Sequence, residues 1–127
     1  MLKAGIGRKD ITPPIGISHS GWGAAVHEKS EGAEMPLYCT SMYLSSDSSK
    51  YEVVIIDMDL GGVPDALDQK MRELIGLEMN IDTKNIRISA THTHAGPVWY
   101  SEEGSGDGSW IEGGKEFVNP YYSSLPQ

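Results

Sequence analysis

Two histidines stand close together where an apolar run gives out. In ISATHTHAGP, Ile88 to Pro97, the run stops, His92 and His94 follow, and Ala-Gly-Pro breaks the chain. Residues i and i+2 of an extended segment point to the same side, so both imidazoles are expected to face one site. Neutral imidazole is a common zinc ligand, and a catalytic zinc takes about three protein ligands plus an open position for water. Two histidines therefore make part of such a site. The plainer reading is that one caps a turn and the other meets solvent. Asp57 and Asp59, in VVIIDMDL, are further donors: they read as metal ligands, as carboxylates that orient a histidine, or as a turn cap (Asp59) beside a solvated side chain (Asp57). His19 and His27 lie in a loop and read as solvated. Cys39, the sole cysteine, sits in an apolar strand and reads as packing. Gly5 and Gly7 precede a strand rather than a helix, which excludes a phosphate loop, and Ser89 is in no nucleophile-elbow context.

The elements that position these residues follow from periodicity. KAGIGRKDI reads as a strand, TPPIG as a rigid turn because its prolines fix φ and remove two donors, and Gly21 to Ser30 as a loop. Pro36–Leu44 and Tyr51–Leu60 are strands joined by the polar turn SSDSSK, a hairpin. Within the second, Val53 to Ile56 is an unbroken apolar run, the pattern of a strand buried on both faces. Gly61-Gly62 ends it. Leu67, Met71, Leu74 and Ile75 then fall on one helical face, which predicts a helix over Asp65–Met79 with Pro64 in its first turn, ending near Asn80. Ile86–Ala90 is a short strand. Strand, helix, strand makes a βαβ unit with parallel strands. The fold class is thus α/β, a mixed sheet with an N-terminal hairpin region and a βαβ unit. Ligands of parallel α/β sheets bind beyond the carboxyl ends of the strands, where Asp57, Asp59, His92 and His94 are expected to converge. The stretch from Val98 to Phe117 is glycine-rich and reads as a mobile loop. Asn119 as N-cap and Pro120 as first helical residue announce a helix over 119–127 with no body to pack, as in a domain cut near the start of an element.

Bulk composition narrows the partners. The chain has 127 residues, 39% apolar and 22% charged, an ordinary globular balance. A formal net charge of −8 argues against nucleic acid and anionic membranes, which need clustered Lys and Arg. No run reaches transmembrane length, and the N-terminus lacks a signal-peptide core, so the chain as written reads as cytoplasmic; an upstream segment would allow secretion.

AGIGRKDITPPIG, GWG at Gly21 to Gly23, PLY at Pro36 to Tyr38, VVIIDMDL and ISATHTHAGP occur in this order, with a fainter NPYYSSLP. Together they resemble the N-terminal part of the neutral/alkaline (non-lysosomal) ceramidase family. The resemblance implies a partial catalytic domain over 1–127 of a zinc-dependent amidohydrolase that cuts the N-acyl amide of ceramide. It implies His92 as a Zn2+ ligand, His94 as a catalytic residue that positions the amide, and Asp59 as support. The remaining ligands of that family (a histidine, a glutamate and a tyrosine) come later than this chain, so the partner implied is the C-terminal part of the same protein. Ala95, Val98-Trp99, Gly32-Ala33-Glu34 and Cys39-Thr40 depart from the family pattern and suit another lipid or small amide substrate. Two other readings stand beside it: a non-catalytic piece lacking the other ligands, and an unrelated His-x-His metallohydrolase.

Overall fold

The structure, a computed structural model, describes residues 1–18, 26–27, 29–46, 51–97 and 121–126. Four strands form one sheet in the order β1-β2-β3-β4: β1 Leu2–Asp10, β2 Tyr38–Ser46, β3 Glu52–Met58 and β4 Ile86–Ala90. β1 pairs with β2 and β2 with β3 antiparallel, and β3 runs parallel to β4. The parallel pair needs a crossover, which α1, Asp65–Met79, supplies together with a 3-10 turn over Thr83–Asn85. The expected mixed α/β sheet, hairpin and βαβ unit are all present. The expected loops over 98–117 and at Gly21 to Gly23, the hairpin tip after Ser46, the Asn119–Pro120 cap and His19 lie outside the described residues.

The helix ends at Asn80, which adopts the left-handed conformation (φ 52°) that asparagine tolerates. Two details of α1 differ from expectation. Pro64 occupies the N-cap position rather than the first turn, so no side chain caps the helix, while Asp65 and Asp68 supply negative charge to its first turn. Leu74 does not face the sheet: it is 42% exposed, whereas Leu67 and Met71 are buried and Ile75 packs against the core. The buried stripe follows the i, i+4 row Leu67–Met71–Ile75. At roughly 100° per residue Leu74 lies about 60° off Met71, at the margin of that stripe. Arg72 lies along the helix flank, where it grips the Asp68 carboxylate at 2.6 and 2.9 Å and donates to the Ile86 carbonyl at the start of β4.

One face of the sheet holds the core. Val54, Ile56 and Met58 of β3 and Ile86 of β4 are buried in one cluster with Leu67 and Met71. The alternate residues Val53 and Ile55 are only partly buried. The continuous apolar run of β3 is therefore covered on one face by described residues, not on both as its pattern suggested. The C-terminal segment is also better anchored than expected. Residues 121–124 are helical, and Tyr121 is buried in the same core with its hydroxyl donating to the Ile11 carbonyl at 2.6 Å. Burial raises the Tyr121 phenol well above its ordinary pKa of 10.0.

Candidate functional site

The rim at the carboxyl ends of β3 and β4 is built by backbone as much as by side chains. Beyond the strands, Thr91 donates to the Met58 carbonyl at 2.9 Å and Thr93 to the Leu60 carbonyl at 3.2 Å. The two chain ends stay zipped through the histidine segment. Gly61 lets them approach: a Cβ there would lie 3.3 Å from the Thr93 carbonyl oxygen. His92 itself takes a left-handed backbone, φ 60°, a conformation rare for non-glycine residues and associated with strain at functional positions.

That backbone changes the geometry expected of the His-Thr-His block. The segment is not extended at His92, so the same-side rule for i and i+2 does not apply. The rings nevertheless meet edge to face, with centroids 4.9 Å apart and planes at 81°. Nδ1 of His92 lies 2.6 Å from the Gly61 carbonyl oxygen. A carbonyl oxygen only accepts, so Nδ1 carries the proton. In neutral imidazole this leaves Nε2 with its lone pair. A histidine that donates one ring N–H to a backbone carbonyl and offers the other nitrogen is arranged as metal-bound histidines usually are.

The two aspartates separate. Asp59 turns toward the start of β2, where its Oδ2 accepts the Tyr38 N–H at 2.8 Å while its own N–H donates to the Tyr38 carbonyl at 2.8 Å. These two bonds tie the residue just past β3 to the first residue of β2. Asp57 is exposed on the opposite face of the sheet, 3.1 Å from the Ser89 hydroxyl. Convergence of all four polar side chains at one rim is therefore not observed: Asp57 lies within β3, out of phase with the buried Met58, whereas Asp59 stands past the last residue of the strand and is free of its alternation.

A trough of about 850 Å³ opens beside the rim. Ile15, Ile17, Met35 and Leu37 give it an apolar wall, Asp59, Thr91, Thr93 and His94 a polar end, and Lys29, Glu31 and Glu34 charged flanks. His92 stands next to this lining, in contact with His94. His27 also reaches the trough, with Nδ1 3.7 Å from Glu31. Cys39 is half-buried against the core, and burial pushes its thiol pKa up, in line with a packing role.

Sequence reasoning left Thr12, Tyr121 and Tyr122 without roles. The Thr12 hydroxyl accepts the Leu37 N–H at 2.9 Å, and Asp59 takes the next N–H, that of Tyr38. Side chains from DITPP and from VVIIDMDL thus hold consecutive amides of PLY. Asp10 in turn accepts the Thr12 N–H at 2.8 Å, and hydrogen bonding from the Thr12 side chain, then from its backbone, lowers the Asp10 carboxyl pKa. Tyr121 reaches Ile11, and Tyr122 donates to the Pro97 carbonyl at 3.3 Å. The only advance signal was that these motifs occur together.

The donor set suits zinc in kind. Two neighbouring imidazoles, one with its tautomer set by a carbonyl, are appropriate ligands. In number it falls short: among the described residues no group of three or more His, Cys, Asp or Glu side chains is placed to hold a metal ion.

No protein-family model and no curated protein matches the chain. Solved structures do. The neutral ceramidase from Pseudomonas aeruginosa superposes with a TM-score of 0.70 at 22% identity, over 98% of this chain and 21% of that one. A ceramidase complexed with C2 gives 0.70 at 20% identity, over 98% of this chain and 20% of that one. The chain has the fold of one part of these ceramidases and spans about a fifth of their length. Among the described residues no helix is long and apolar enough to cross a membrane.

Proposed function

We propose that this chain contributes part of a zinc-dependent hydrolytic site that cleaves the N-acyl amide of ceramide or of a related lipid or small amide. The observation that carries this reading is the Nδ1–H of His92 held by the Gly61 carbonyl, which leaves Nε2 available as a ligand. His94, beside it on the trough, is the residue that positions the amide, and Asp59 supports the rim by fixing the start of β2. The fold shared with neutral ceramidase favours this reading over an unrelated His-x-His hydrolase. Zinc, when bound, polarises a carbonyl and lowers the pKa of water. The part assigned to this chain is narrower. His92 donates one ligand nitrogen, His94 orients the scissile group, and the apolar lining of Ile15, Ile17, Met35 and Leu37 receives the acyl chain. By the resemblance, the remaining ligands are a histidine, a glutamate and a tyrosine from later chain, and they complete the site.

The test compares this 127-residue chain with the longest natural polypeptide that contains it. The short chain is expected to bind zinc weakly in calorimetry and to leave ceramide and simple N-acyl amides intact. The longer one is expected to bind zinc tightly and hydrolyse such an amide, with turnover abolished by His92→Ala. Full turnover by the His92→Ala variant of the longer protein would refute the assignment.

A further inference from the structure

The two faces of the sheet are unequally covered. α1 and the buried cluster occupy one of them. On the other, strand register aligns apolar side chains into two rows: Ala4–Leu44–Val53 and Ile6–Met42–Ile55, crossing β1, β2 and β3. Leu2 extends the patch at one corner. A polar row, Arg8–Thr40–Asp57–Ser89, bounds it toward the histidine end of the sheet. None of the six residues in the two apolar rows belongs to the core or packs against it. Ile6 is 79% exposed and Leu2 69%, and every residue of the nine-residue strand β1 is exposed.

Contiguous apolar surface, exposed along β1 and half-exposed along β2 and β3, marks an interaction site. The shared fold also indicates the occupant. The whole of this fold, 98% of the chain, is contained in ceramidase chains of which it makes up only about a fifth. We propose that the open face, centred on Ile6, Met42 and Ile55, is the docking surface for a second layer of the same polypeptide, belonging to the remainder of a ceramidase-type domain. The polar row then forms the edge of that interface nearest the candidate site. The proposal rests on the shared fold that also underlies the proposed function, and it requires neither zinc nor hydrolysis. Its failure is therefore distinguishable from failure of that reading.

Cysteine labelling tests it. Ile6→Cys and Ile55→Cys are introduced separately in a Cys39→Ser background, into the 127-residue chain and into the longest natural polypeptide containing it. Maleimide rates are divided by those of the urea-unfolded proteins, with far-UV circular dichroism confirming the fold of each. The short chain is expected to label quickly at Ile6→Cys. The longer protein is expected to label at least tenfold more slowly at both positions. Equal rates in the two proteins would overturn the proposal. So would a natural reading frame that closes at Gln127, or protection in the short chain that grows with its concentration, which would make a second copy the occupant.

Discussion

The half of the sheet formed by β3, β4 and α1 and the half formed by β1 and the entry to β2 are held together by different means. In the first, Val54, Ile56, Met58, Leu67, Met71 and Ile86 share one buried cluster, and apolar area removed from water is the dominant stabilising term. In the second, β1 buries no residue. It is fastened by its ladder to β2, and the chain just past it by two polar contacts, Thr12 to Leu37 and Tyr121 to Ile11, while Asp59 holds the entry to β2 at Tyr38. Burial tolerates small errors of direction, whereas single hydrogen bonds do not. The candidate site lies where the two halves meet, so its geometry depends on both.

Substitutions should separate these modes by size. Leu60, fully buried two residues past the end of β3, is at the top of the scale. Leu60→Ala should cost about 2–5 kcal/mol in urea denaturation, and a loss below 1 kcal/mol would mean that the core does not close over the rim as described. Asp59→Ala comes next. It leaves the Tyr38 amide without its acceptor, at a cost of about 1–3 kcal/mol, and should loosen the trough because Asp59 lines it. Slower hydrogen exchange at Tyr38 in that variant would contradict the role given to the carboxylate.

Tyr121→Phe should cost about 1 kcal/mol and carries a pH signature. Burial raises the phenol pKa in the folded state above 10.0, so above about pH 10 the unfolded chain ionises first and binds fewer protons. The tyrosine's contribution is complete below that pH and is lost as pH rises through the folded pKa, at up to about 1.4 kcal/mol per pH unit. Denaturation series from pH 9 to 11 should show a steeper decline in the wild type than in Tyr121→Phe. Ile6→Ala, on the exposed strand, should shift stability by no more than about 0.5 kcal/mol in the isolated chain. A loss above 2 kcal/mol would show that the open face is covered there.

The same contrast explains what was legible in the sequence. Strands, helix bounds and the parallel pair follow from periodicities of two and 3.6, and these are properties of neighbouring residues. Leu74 misled because four apolar residues fit one face on a helical wheel while the contact with the sheet is only one i, i+4 row wide. Val53 to Ile56 misled because an unbroken apolar run states what a strand can bury, not what is there to cover it. At the rim, residue types pointed to His92, His94 and Asp59. The left-handed turn at His92 and the grip of Asp59 on Tyr38 depend on Gly61 and on PLY, segments remote in sequence from them, and no local pattern encodes such pairings.

Nitrogen-15 NMR of the imidazole shows whether the fold presents His92 as a ligand through Nε2. In the neutral chain a proton is expected on Nδ1, bonded to the Gly61 carbonyl, with a bare Nε2 whose resonance moves on addition of zinc while Nδ1 stays protonated. A proton on Nε2 with a bare Nδ1, or a zinc response confined to Nδ1, would contradict it.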